Sequence, residues 1–124
     1  LLFELLSDLV KIENILFIVR NSGVVSEIRN NSFSIKQKEK WITIGDNDDP
    51  AHMHIDSELI TSAEFVKEIK PECTSFNVIF FNENEERVLT AFFTKIYDET
   101  KTLLSERTKI YVQLNQKYSS KVNF

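Results

Sequence analysis

A chain of 124 residues with 42% hydrophobic content can bury one core but hardly two, so a single domain over residues 1–124 is expected. A net charge of −4 and a pI near 5.2 argue against nucleic acid as a partner, and the longest fully apolar stretch, Ile15 to Val19, is far short of the roughly 20 residues that span a bilayer. One cysteine, Cys73, excludes an intrachain disulfide framework and a cysteine-rich zinc site, and it suits a cytoplasmic setting.

Leu1, Leu2, Leu5, Leu6, Leu9 and Val10 recur at spacings of three and four, which predicts a short amphipathic helix lying on a sheet face. The chain starts at Leu1 rather than methionine, so its true start and any leader stay open. Ile15 to Arg20, Asn21-Ser22-Gly23 and Val24 to Ile28 read as a hairpin. Asn30 to Lys40 is polar and basic, interrupted by Phe33 and Ile35, and reads as a loop with a weak edge strand. Trp41 to Ile44 and Ala51 to Ile55 are two short strands joined by the turn-rich Gly45 to Pro50. Thr61 to Ile69, Thr74 to Phe81 and Val88 to Ile96 follow as three longer strands in an antiparallel meander. Leu104, Thr108, Tyr111, Leu114 and Tyr118 line one side of a closing helix. The expected fold is α+β, an antiparallel sheet with an N-terminal and a C-terminal helix.

Thr74 to Phe81 and Val88 to Ile96 carry apolar side chains on both faces: Phe76, Val78 and Phe80 oppose Ile79 and Phe81, and Val88, Phe92 and Ile96 oppose Leu89, Ala91 and Phe93. A sheet open to water on one side alternates cleanly, so these strands are expected to be covered twice. Two modest helices cover one face and leave the other to a second copy, giving a homodimer, or to a large apolar ligand.

His52 and His54 are the only histidines, and their spacing puts both on one face of a strand. They can ligate iron, zinc, copper or nickel, shuttle protons, or form an inert hydrogen-bonded pair on a polar edge. Gly45 to Glu58 partly resembles the first cupin motif, a glycine, a spacer, His-x-His and an acid after three residues. The spacer is one residue longer, and no third histidine exists for a second motif, so a non-haem metal held by His52 and His54 would need Asp46, Asp48, Asp56 or Glu58. Asp46-x-Asp48 fails as a calcium loop because Pro50 and Ala51 stand where that loop needs a ligand and a glycine. No phosphate loop or nucleophile motif is present, which favours a binding or carrier protein over an enzyme. Lys36, Lys38, Lys40 and Lys95 can neutralise an anionic ligand if the fold brings them near the histidine strand.

The order of these features resembles the ChuX/HutX haem-utilisation family, related to the repeated halves of HemS-type proteins, over essentially the whole chain. His52-Met53-His54-Ile55-Asp56 followed by Ile60, Ala63, Phe65, Val66 and Lys67 is similar to the family's histidine-bearing strand and the strand after it. Phe80-Phe81-Asn82-Glu83-Asn84 is similar to its "F-F-(D/N)-x-(D/N)-G" turn, with Glu85 or Glu86 where glycine is usual. The resemblance implies a cytoplasmic dimer that binds haem and passes it on or helps to release its iron. It also implies His52 or His54 as the iron ligand, with Trp41, Phe65 and Phe93 as pocket walls. A dimeric structural module that keeps the fold without a ligand is the remaining alternative.

Overall fold

A computed structural model describes residues 1–124. Helix α1 (Leu2–Val10) buries the five leucine and valine side chains that its spacing puts on one stripe. The hairpin β1 (Ile15–Arg20) and β2 (Val25–Arg29) closes around Asn21, whose Oδ1 accepts from the amides of Gly23 and Val24 at 2.8 Å each. Next come β3 (Ile35–Lys38), β4 (Trp41–Ile44), β5 (Met53–Asp56) and a single 3-10 turn, Ser57–Leu59. The long strands β6 (Ser62–Ile69), β7 (Thr74–Phe81) and β8 (Arg87–Phe93) precede α2 (Ser105–Tyr118) and a last strand, β9 (Lys121–Asn123).

The meander β6–β7–β8 is antiparallel as expected, and β1 joins it along β8 to give the order β2-β1-β8-β7-β6-β9. The three short strands form a separate sheet, β3-β4-β5. Ile42, Ile44 and Ile55 of that small sheet share one core with α1, α2 and the inner face of the large sheet, where Phe17, Phe65, Phe76, Val78, Phe80, Leu89 and Phe93 point. The outer face of the large sheet carries Leu16, Ile18, Ser75, Asn77, Ile79 and Phe92. Ile18 and Ile79 are buried there, outside the core cluster, beside the half-buried Leu16 and Phe92.

Besides the division into two sheets where one was expected, three details depart from the sequence reading. The strand expected to run from Val88 to Ile96 stops at Phe93, because the Thr94 hydroxyl turns aside to donate to the Asn14 carbonyl and Lys95 adopts a φ of 54°. Ile96 then drops into the core. The strand β9 escapes notice because it is three residues long with one buried side chain, Val122, too short for any period to register. Leu104, assigned to the buried side of the closing helix, caps that helix and is exposed, so only Tyr111, Leu114 and Tyr118 are buried.

The two helices are latched by polar groups. Tyr118 Oη donates to Asp8 Oδ2 at 2.5 Å, and Lys117 Nζ reaches the same oxygen at 2.7 Å. Burial pushes the Asp8 carboxyl up, but the hydrogen bonds from Lys117 and Tyr118, with the charges of Lys117 and Lys11, outweigh it and hold the group below its ordinary 3.8. A carboxyl depressed in the folded state contributes stability above its unfolded pKa and loses it as pH falls through the folded value. Urea midpoints measured from about pH 5 down to about pH 2 are expected to fall more steeply for the wild type than for Asp8→Asn. Parallel slopes would show that the latch contributes nothing to acid sensitivity.

Candidate functional site

The turn between β4 and β5 sets the histidine strand. Gly45 takes a φ of +85°, and a Cβ there would stand 3.0 Å from the Ala51 carbonyl oxygen and 3.0 Å from His52 Cβ, so only glycine lets the chain fold back this closely. His52 and His54 emerge on the same side, their ring centroids 5.2 Å apart and nearly perpendicular. His52 lies just before β5, with Nδ1 3.4 Å from the Asp49 carbonyl. His54 lies within β5, and its Nδ1 is 3.0 Å from the hydroxyl of the buried Thr43.

Residues directly opposite each other in an antiparallel pair share a face. The small sheet therefore presents two rows outward, Lys36–Thr43–His54 and Lys38–Trp41–Asp56, while Ile42, Ile44 and Ile55 point to the core. Trp41 is exposed, with Lys40 Nζ 5.4 Å from its ring and also 3.2 Å from Asp56. The fold thus brings Lys36, Lys38 and Lys40 into the histidine sheet, whereas Lys95 belongs to the turn after β8.

His54 also stands on a cavity of about 480 Å³ at the seam between the two sheets, a size within the range of small-molecule sites. Leu2 and Leu6 of α1, Val19 of β1, Ile60, Phe80 and Val88 form much of its apolar lining, with Met53 to Asp56 of β5 along one side. The turn Asn82 to Asn84 closes one end. Asn82 Oδ1 accepts from the Asn84 and Glu86 amides at 3.0 Å each, and Glu85 takes a φ of 60°, so Glu85 is the residue standing where a glycine is usual.

Of the five side chains expected around a ligand, only His54 lines this cavity. His52 and Trp41 share its outward face, but Phe65 and Phe93 are core residues packed edge-to-face on Tyr111 of α2, with centroids 5.6 Å and 5.2 Å away. No group of three or more histidine, cysteine or acidic side chains converges as a metal site, so Asp46, Asp48, Asp56 and Glu58 do not complete the cupin-like set. Cys73 is exposed and free.

Sequence reasoning passed over Thr43 and the seam residues Leu2, Leu6, Val19, Ile60 and Val88. Strand pairing identifies Thr43 as the residue opposite His54, but that pairing depends on a turn whose length does not fix the register. The seam joins segments far apart in sequence, and no local pattern marks them.

A family model matches residues 3–120. No curated protein matches the chain. Among solved structures the fold is similar to that of the haem-binding protein ChuX, at a TM-score of 0.77 and 18% identity, covering 92% of this chain and 70% of that one. Holo-PhuS, a haem-binding protein from Pseudomonas aeruginosa, matches with a TM-score of 0.71 and 13% identity over 89% of this chain and 31% of its own. The haem-degrading enzyme ChuS of Escherichia coli O157:H7 matches with 0.69 and 14% over 89% and 33%, so the present chain spans about a third of each of those two larger proteins. No helix is long and apolar enough to cross a membrane. With its two helices and antiparallel sheets in agreement with those structures, the chain carries the α+β fold of the HemS/ChuX type.

Proposed function

We propose that this protein binds haem and carries it within the cytoplasm, with His54 as the iron ligand. The observation behind the reading is the position of His54, on an apolar cavity in a ChuX-like fold with its Nδ1 anchored to Thr43. In the tautomer that donates Nδ1–H to the Thr43 hydroxyl, Nε2 keeps its lone pair and the ring is held in orientation. Haem supplies a flat apolar disc and an iron that accepts one imidazole nitrogen, and the chain offers an apolar slot beside such a nitrogen. His52, anchored only to a carbonyl at 3.4 Å and absent from the cavity lining, is the secondary candidate. Haem here is cargo.

The outer face of the large sheet supports a homodimer. Leu16, Ile18, Ile79 and Phe92 form its apolar centre, and charges of both signs, Arg20, Glu27, Glu68 and Arg87, stand about them. Such a surface can pair with its own copy about a twofold axis. Sedimentation returning a monomer at working concentration would remove this part of the proposal.

Titrating the purified protein with haemin by absorbance tests the ligand. A saturable, sharpened Soret band is expected, lost in His54→Ala and kept in His52→Ala, with Thr43→Val weakening binding by about tenfold. Weak, unsaturable binding that is equal in all variants would leave the family fold without its ligand. Loss in His52→Ala instead would transfer the iron to the other histidine.

A further inference from the structure

Charge is divided sharply about His54. The cavity on one side is lined by Asp56, Glu58 and Glu83 and by no lysine or arginine. Asp56 is neutralised by Lys40 at 3.2 Å, which leaves Glu58 and Glu83, both exposed and neither in an ion pair, as the net charge at the seam. On the other side, the outward face of the small sheet carries Lys36 directly across Thr43 from His54, with Lys38 one row along. Both lysines are exposed and take no part in an ion pair.

Strand spacing puts the backbone of Lys36 about 10 Å from that of His54, and a lysine side chain can close much of that gap. We infer that the site is electrically polarised, with Lys36 and Lys38 taking the carboxylates of a flat dianionic ligand held at His54 while Glu58 and Glu83 turn that charged edge away from the cavity. The inference rests on the haem reading and adds the direction in which the ligand lies. A carboxylate edge inside the seam would meet two like charges and no donor cation. Turned outward, it meets two free ammonium groups on the face that carries the histidine.

The test compares haemin with haemin dimethyl ester, in which both carboxylates are masked, by absorbance titration of three proteins: wild type, Lys36→Gln/Lys38→Gln and Glu58→Gln/Glu83→Gln. All four substituted positions are exposed, and equal thermal midpoints check that each variant folds. The lysine pair is expected to weaken haemin by about three- to tenfold and to leave the ester within about twofold of wild type. The glutamate pair is expected to tighten haemin by about two- to fivefold with the ester again unmoved. If wild type binds both porphyrins but the lysine variant loses neither, or loses both equally, the polarity is overturned while the haem reading stands. If wild type binds neither porphyrin saturably, the haem reading falls and takes the polarity with it.

Discussion

Replacing Tyr111 with alanine is expected to destabilise the protein by about 4 kcal/mol, a large share of the roughly 5–15 kcal/mol that holds a typical domain folded. The ring is buried and meets three others edge-on: Phe65, Phe76 at 5.1 Å and Phe93. Its hydroxyl donates to the Asn77 carbonyl at 3.1 Å, and burial pushes its pKa up to about 12. One side chain thus fastens α2 to three adjacent strands of the large sheet. Tyr111→Phe keeps the rings and loses only the hydroxyl, so it is expected to cost about 1 kcal/mol. Urea midpoints at one fixed protein concentration, which matters if the chain self-associates, measure both. A cost for Tyr111→Ala no larger than that of Tyr111→Phe would show that the aromatic cluster is not what holds the helix.

Asn30→Leu is expected to cost about 3 kcal/mol although it puts an apolar side chain of similar size at a fully buried position. The Asn30 amide donates to the carbonyls of Val10 at 2.9 Å and Ile12 at 2.8 Å, and its Oδ1 accepts from the Phe33 amide at 3.2 Å. Those groups belong to the end of α1, the loop after it and the segment leading into β3. Leucine leaves two carbonyls and an amide without partners, each carrying a desolvation cost of about 1 kcal/mol or more. Asn30→Asp keeps the shape but sets an acceptor against two acceptors, so at neutral pH it is expected to be at least as damaging. An aspartate variant as stable as wild type would show that volume, not hydrogen bonding, governs the site.

These two positions also show what can be read from sequence. The helices, the hairpin and the β6–β7–β8 meander follow from periodicities of 3.6 and 2, because each element buries a stripe that its own residues define. Asn30 looks like any polar loop residue, since its worth lies in partners 18 and 20 positions away. The His-x-His pair is legible as a same-face pair for the same reason that strands are. What it faces is not legible. Phe65 and Phe93 belong to the family pattern and to aromatic-rich strands, which suits a ligand slot and a core equally well. Only the arrival of Tyr111 between them decides for the core. The division of the strands into two sheets was likewise hidden, because it depends on which edges meet.

The edges of the large sheet bear on how copies can assemble. One is β2, five residues long and bearing Glu27 and Arg29; the other is β9, only three residues long. Strands this short, both bearing charged side chains, are poor templates for adding a neighbour's strand, so growth into an open ribbon is discouraged. Association through the broad outer face has the opposite arithmetic, because each copy has one such face and stacking consumes it. An assembly built this way terminates at two members and has no free end from which a fibre can extend.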